Sequence, residues 1–295
     1  MADVVFRGVG TALVTPWTSD GSLDEAALAK FVDWQITEGV NFLVPCGTTG
    51  ENPAMSADEH RRVVEITVNT ANGRVPVLAG AGSNSTDKAI DLALMCIDLC
   101  ADGVLTITPY YNKPNPDGLR RHFGEQANAI EKKRTGFPMI MYNVPGRTGV
   151  NMTAETTLRI AREVPNVVGV KEASANMEQI LAILRDRPKG FAVLSGDDAW
   201  TLPLMACGAE GIVSVASNEV PRLMRQMVDG RDVAIMNRLL PLLSGNFIES
   251  NPVPVKTALK MMGILENDTV RSPLAPISDA NRKKLETILR DCDLI

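Results

Sequence analysis

Eight short runs rich in β-branched and aliphatic residues recur along the chain, near 9–14, 41–46, 75–80, 103–108, 138–142, 167–171, 191–195 and 211–215. Several are almost continuously apolar, such as Val75-Pro76-Val77-Leu78-Ala79. A half-exposed antiparallel strand alternates apolar with polar residues, whereas a parallel strand covered on both faces is apolar throughout. The intervals between the runs carry helix signatures. Ser22-Leu23-Asp24-Glu25 has the spacing of a capping box ahead of Leu28, Phe31, Val32 and Ile36, and Ser56-Ala57-Asp58-Glu59 repeats it. Leu92, Met95, Cys96 and Leu99 mark the apolar face of a further helix. Strands alternating with helices in this way predict an α/β chain, a (β/α)8 TIM barrel over residues 1–224. Residues 225–295 remain as a C-terminal helical region packed on that barrel, because Asn251-Pro252-Val253-Pro254 breaks it without the composition of a flexible linker.

Charge and rare residues narrow the chemistry. With 30 Lys and Arg against 35 Asp and Glu, the net charge of −5 offers no large basic face for nucleic acid or an anionic membrane. Small-molecule chemistry is the expectation. The opening Met-Ala-Asp-Val-Val-Phe-Arg places an acid where a secretory signal carries its basic region, and no long apolar run follows, so a cytoplasmic location is expected. The five cysteines are odd in number and form no C-x-x-C pair, which favours reduced thiols. Cys96 and Cys100, four apart on one helix, read as two buried thiols rather than metal ligands. Only His60 and His122 supply imidazoles, so a three-histidine metal site cannot be built within one chain. Both lie beside arginines in helix-like segments, the surroundings of solvated positions. No metal is expected.

In barrels of this kind the chemistry sits where the strands end. The second run ends in Gly47-Thr48-Thr49-Gly50-Glu51, the fourth in Thr108-Pro109-Tyr110-Tyr111-Asn112, the fifth in Tyr142-Asn143-Val144-Pro145-Gly146-Arg147 and the sixth in Val170-Lys171-Glu172. Lys171 closes an apolar strand, where desolvation disfavours the ammonium and leaves an amine able to attack a carbonyl. Taken alone, a strand-end lysine paired with an acid such as Glu172 is the favoured explanation. Tyr142 ends the neighbouring strand, within reach for proton transfer, and Thr48 with Tyr111 extends a chain of hydroxyls. Gly47-Thr48-Thr49-Gly50 suits a small carboxylate, although such a tetrapeptide is also an ordinary turn. Arg147 has the fork that grips a carboxylate in two places, against a surface ion pair as the alternative. Gly80-Ala81-Gly82-Ser83-Asn84-Ser85 lacks the third glycine of a dinucleotide fingerprint. Ser195-Gly196-Asp197-Asp198 reads as a turn and helix cap, with substrate or metal binding as the other possibility.

Together Gly47-Thr48-Thr49-Gly50-Glu51, Thr108-Pro109-Tyr110-Tyr111-Asn112, Tyr142-Asn143-Val144-Pro145-Gly146-Arg147-Thr148-Gly149 and Val170-Lys171-Glu172-Ala173 resemble the dihydrodipicolinate synthase and N-acetylneuraminate lyase superfamily, in the family's order and from Gly8 to the C-terminus, and their combination resembles the synthase branch. The resemblance implies that Lys171 forms an imine with pyruvate, that Tyr142, Thr48 and Tyr111 relay protons, and that Thr49 holds the pyruvate carboxylate. Gly196 and Val213 join Thr49 and Arg147 as substrate-binding positions. Arg147 implies L-aspartate 4-semialdehyde as the second substrate and 4-hydroxy-tetrahydrodipicolinate as product, the first committed step of lysine biosynthesis through diaminopimelate. No cofactor is implied. The family's tyrosine matching Tyr111 enters a neighbouring subunit's site, which implies a homotetramer built as a dimer of dimers. Another pyruvate lyase, acting on a sugar acid or hydroxy-oxo acid, and a barrel that only binds a small acid are the other readings.

One region departs from the resemblance. Asn84, Tyr110 and His60 match an allosteric lysine site, but Asn52, Pro53, Ala57 and above all Lys88 do not. A cation where an acid receives the effector ammonium repels it. Weak or absent inhibition by lysine is expected.

Overall fold

The computed structural model describes residues 6–295. Met1–Val5, where most of the signal-sequence reading falls, lie outside the described residues. Strands β1 (Gly8–Ala12), β2 (Phe42–Val44), β3 (Leu78–Gly80) and β4 (Gly103–Ile107) alternate with helices α1 (Glu25–Thr37), α2 (Ala57–Ala71), α3 (Thr86–Asp98) and α4 (Pro116–Lys133). Then come β5 (Met139–Asn143), the short α5 (Pro145–Thr148), α6 (Ala154–Glu163), β6 (Val167–Glu172), α7 (Met177–Asp186), β7 (Ala192–Ser195), α8 (Thr201–Ala206) and β8 (Gly211–Ser214). Four helices close the chain: α9 (Pro221–Gly230), α10 (Val233–Gly245), α11 (Val253–Met261) and α12 (Asp279–Asp291). The strands form one eight-stranded sheet in the order β2-β1-β8-β7-β6-β5-β4-β3. Each strand neighbours its predecessor or successor in sequence, apart from the β1–β8 junction, which is the topology of a (β/α)8 barrel followed by C-terminal helices.

The chain divides into two compact units. The first holds residues 76–213 with 6–7. Its strands pair in parallel from β3 to β8, and the ladder sets Ile107 opposite Tyr142, Tyr142 opposite Lys171 and Lys171 opposite Leu194. Helices cover these strands with one apolar face each: Phe123 and Ile130 on α4, Ile180 and Ile183 on α7, all at most 2% exposed. Gly103 starts β4 where a Cβ would stand 2.8 Å from the Phe6 ring. Alanine has no room there.

The second unit holds residues 8–75 and 214–295. Here α1 packs on α2, and α9 packs against β1. Helix α12 buries Leu285 and Leu289 completely. It approaches α10 so closely that a Cβ on Gly245 would stand 2.9 Å from Ile288.

Local chemistry explains where the helices begin. At α2 the capping box is complete: Ser56 Oγ accepts from the Glu59 amide, and the Glu59 carboxylate accepts from the Ser56 amide. At α1 the cap is Asp24, whose carboxylate accepts from the Ala27 amide, and not the expected Ser22. Ser22 is committed to a turn, its carbonyl taking the Thr18 amide. The buried face of α3 is Ala89, Ala93, Cys96 and Ile97, with Leu92, Met95 and Leu99 half-buried, a rotation from the expected stripe. Cys100 lies beyond that helix in a left-handed conformation and is exposed, so it shares no face with buried Cys96. The histidines also differ from expectation: His60 is 2% and His122 4% exposed. Successive helical residues turn by about 100°, so the neighbouring arginines point to solvent while the imidazoles point inward. No helix among the described residues is long and apolar enough to cross a membrane.

Candidate active site

In the first unit the Val167-Val168-Gly169-Val170 run carries Lys171 to the end of β6, where the residue is 7% exposed. Its Nζ lies 4.3 Å from the centre of the Tyr142 ring, the side chain of its register partner on β5. Burial drives the lysine from an ordinary value of 10.5 down to about 7; Asp198 pulls it back up and Arg147 pushes it further down. The free amine is then well populated at neutral pH, the state a nucleophile needs. Gly196, at the end of β7, makes room for it: a Cβ there would stand 2.7 Å from Ala173 Cβ and 3.0 Å from Lys171 Cε. The Gly196 amide donates to the Glu172 carbonyl at 2.8 Å, which fixes the turn against β6.

Glu172 is not the partner of Lys171. Successive strand residues face opposite ways, and the Glu172 carboxylate accepts from Asn143 Nδ2 at 3.1 Å, from the Ser174 amide at 2.8 Å and from Gln179 Nε2 at 3.3 Å. Burial raises its pKa, and these donors work against the shift. The effect is to tie the ends of β5 and β6 to the start of α7.

Around this pair the expected residues fall as follows. Tyr142 is 7% exposed, and Val213 is 1% exposed within β8. Arg147 sits exposed on α5, which opens with Pro145 and closes at Gly149 in the left-handed region. Tyr111 follows β4 in a strained left-handed conformation with φ of 74°, its amide donating to the Thr148 carbonyl at 3.2 Å. Its side chain stands 88% exposed. Tyr110 beside it is at 36%, and Asn84, after β3, accepts from Asn112 Nδ2 at 3.2 Å through its carbonyl. Lys88 lies exposed in the first turn of α3. Asp198, read from sequence as part of a turn, is 2% exposed and supplies the negative charge felt by Lys171.

In the second unit the Gly47–Gly50 loop is bracketed by two non-glycine residues in the left-handed region, Cys46 at φ 56° and Glu51 at φ 59°. Thr48 is half-buried, whereas Thr49 is 2% exposed and its Oγ1 accepts from Asn251 Nδ2 at 3.0 Å. Behind the loop Glu51 Oε1 accepts from Trp17 Nε1 at 2.9 Å and Lys256 Nζ at 2.8 Å, and Oε2 from the Arg271 amide at 2.9 Å. Lys256 also donates to the Thr15 carbonyl at 2.9 Å, and Thr15 Oγ1 to the Gly50 carbonyl at 2.8 Å. Burial lowers the Lys256 pKa to about 8, with Glu51 the main opposing influence. The Arg271 guanidinium stacks 3.8 Å from the Trp17 ring centre and pairs with Glu59, whose carboxyl it holds near 2. His60 Nδ1 lies 3.0 Å from Asn52 Oδ1. Sequence reasoning gave no site role to Asn251, Lys256 or Arg271. A lysine inside the apolar Val253-Pro254-Val255-Lys256-Thr257-Ala258-Leu259 run was the available signal.

A buried strand-end lysine held near neutrality in a (β/α)8 barrel defines a protein equipped with an amine nucleophile. The Dihydrodipicolinate synthetase family model matches residues 5–292, and the chain belongs to that family. It is 50% identical over 297 residues to the 4-hydroxy-tetrahydrodipicolinate synthase of Oleidesulfovibrio alaskensis, covering 98% of this chain and 99% of the relative. Among solved structures it is similar to the dihydrodipicolinate synthase of Thermotoga maritima, with a TM-score of 0.94 at 39% identity over 99% of this chain and 100% of that one. It is equally similar to the chloride-inhibited dihydrodipicolinate synthase of Acinetobacter baumannii complexed with pyruvate, with a TM-score of 0.94 at 40% identity over 98% and 99% of the two chains.

Proposed function

We propose that this chain is a lyase that condenses pyruvate with L-aspartate 4-semialdehyde to 4-hydroxy-tetrahydrodipicolinate, the first committed step of lysine biosynthesis through diaminopimelate. The observation that carries the reading is Lys171: buried at a strand end, with its pKa lowered to about 7 and its Nζ beside Tyr142. Full-length relatives bearing that activity in their names support the choice of substrates.

Lysine Nζ attacks the C2 carbonyl of pyruvate, and the carbinolamine loses water to give an imine. Loss of a C3 proton yields the enamine, whose C3 attacks the aldehyde carbon of the semialdehyde. The substrate's own amine then displaces Lys171 and closes the ring. Tyr142 is assigned the proton transfers at the imine carbon, with Thr48 and Tyr111 completing the relay. Thr49 is assigned the pyruvate carboxylate and Arg147 the carboxylate of the semialdehyde, while Gly196 and Val213 line the substrate. Gly196 has the further task of leaving space for the lysine, since a Cβ there would stand 3.0 Å from Lys171 Cε.

The assembly we infer is a homotetramer, a dimer of dimers, in the cytoplasm, with no nucleic-acid or membrane partner. Tyr111 supports it: a phenol 88% exposed in a single chain serves a relay only when a neighbour covers it. Residues 1–224 are read as the catalytic barrel and 225–295 as its helical support. Lys88 at the start of α3 is read as the charge that weakens lysine feedback through Asn84, Tyr110 and His60; half-maximal inhibition at submillimolar lysine contradicts it.

The test is the initial rate of pyruvate consumption with the semialdehyde, beside the same assay with N-acetylmannosamine or with no aldehyde. Consumption that needs the semialdehyde and disappears in Lys171→Ala supports the proposal. Turnover only with the sugar reassigns the acceptor. Binding of pyruvate without a borohydride-trapped adduct on Lys171 leaves a small-acid binder and no lyase.

A further inference from the structure

The Lys256–Glu51 pair is built differently from the other ion pairs among the described residues. Its side chains are 0% and 1% exposed, whereas the others reach solvent on at least one side. Burying two charges is costly unless the geometry is good and their remaining hydrogen-bonding capacity is filled. Here it is largely filled. Glu51 takes Trp17 Nε1, Lys256 Nζ and the Arg271 amide, while Lys256 also donates to the Thr15 carbonyl.

Those bonds end on Glu51, the residue that follows the Gly47–Gly50 loop, or on Thr15, which itself bonds the loop. Thr15 passes the contact to the Gly50 carbonyl, and Gly50 itself is tightly enclosed, with room for a Cβ only 3.1 Å from the Leu13 carbonyl. Glu51 holds a left-handed backbone that a non-glycine residue adopts only under constraint. Five residues before Lys256, Asn251 donates to Thr49 Oγ1. A hydroxyl that accepts from an amide has its own proton left to donate, here to a substrate acceptor. One segment, 251–256, therefore reaches both the hydroxyl and the anchor of the loop.

We propose that Lys256 and Glu51 are positioning residues for pyruvate binding: a buried charge pair whose integrity fixes the loop carrying Thr48 and Thr49, and so sets the affinity for the pyruvate carboxylate without touching it. This rests on the reading that Thr49 holds that carboxylate. The pair acts as a unit, because removing one charge strands the other, while removing both does not.

The experiment measures steady-state KM for pyruvate and kcat in Glu51→Gln, Lys256→Met and the double variant, each checked for assembly and thermal midpoint. Either single variant raises KM for pyruvate about tenfold or more with kcat within about threefold, the pattern of lost substrate binding. The double variant is no worse than the worse single. Glu51→Gln keeps the shape of its site and reads the proposal even if Lys256→Met does not fold. A lowered thermal midpoint with unchanged KM in the folded single variants overturns it, since the pair is then structural only. Multiplying effects in the double variant overturn the unit. Wild-type protein that traps no pyruvate with borohydride removes the proposed function and this inference together; wild type that traps it, with variants of unchanged KM, removes this inference alone.

Discussion

Tyr142 and Lys171 are register partners across the β5–β6 ladder, with the lysine Nζ 4.3 Å from the centre of the tyrosine ring. A parallel ladder puts equivalent residues of adjacent strands side by side on one face, so two residues that end consecutive apolar runs become neighbours by construction. The ring face helps to hold whatever ammonium is present, and burial favours its loss. An amine and a phenol thus share one dry corner.

Replacing Tyr142 with Phe keeps the ring under Nζ and removes the hydroxyl. General acid–base groups contribute about a hundredfold or more to such steps. The expected result is a fall in kcat of roughly that size with KM for pyruvate little changed, measured by steady-state assay. A loss of less than about threefold assigns the proton transfers elsewhere.

The free amine of Lys171 sets an acid limb. Because burial lowers its pKa to about 7, kcat/KM for pyruvate rises as pH increases toward that value and levels off above it. Below it the amine fraction falls about tenfold per pH unit. A limb still rising steeply above pH ~9 indicates an unperturbed lysine.

Gly196→Ala tests the space beside the lysine. The new methyl would meet Ala173 Cβ at 2.7 Å and Lys171 Cε at 3.0 Å, one backed by backbone and the other the reactive side chain itself. Overpacking of this kind costs about 1–3 kcal/mol of stability. The displaced lysine should also trap pyruvate with borohydride at least tenfold more slowly, by the rough cost of misplacing a reacting group. Unchanged trapping means that the lysine does not need the gap.

His122 provides an acid-sensitive element unrelated to catalysis. It lies buried on α4 with Nδ1 2.9 Å from Thr86 Oγ1, and burial lowers its pKa from 6.5 to about 4, partly opposed by Glu125. The unfolded chain binds this proton first, so the native state loses stability as pH falls from 6.5 toward 4, by roughly 3 kcal/mol in total. Thermal midpoints of the wild type and His122→Gln, compared across that range, should show a shallower decline in the variant. Parallel declines place the acid sensitivity in other groups.

The strands were legible because parallel strands buried on both faces leave apolar runs, and the runs near 167–171 and 103–108 lie within a residue of β6 and β4. Lys171 and Tyr142 were legible for the same reason: each is the polar end of such a run. The burial of His60 was not, because its neighbours Arg61 and Arg62 describe other faces of α2, and Arg62 turns outward to Glu25 at 2.7 Å. Asp198 looked like one more turn residue, since nothing local distinguishes an acid that caps from one that faces a buried amine. Glu51 offered no local sign of its partner either, for Lys256 comes 205 residues later.

That separation bears on how the protein is made. A ribosome that has delivered all eight strands, through Ser214, has yet to deliver Lys256 and Arg271. Until they emerge, the carboxylate of Glu51 has only Trp17 to receive it. The loop of Gly47–Gly50, translated near the beginning, is therefore finished near the end, and a chain released early carries every strand of the barrel but an unbalanced charge beside that loop. Completion of that loop reports that synthesis has run almost to the last helix.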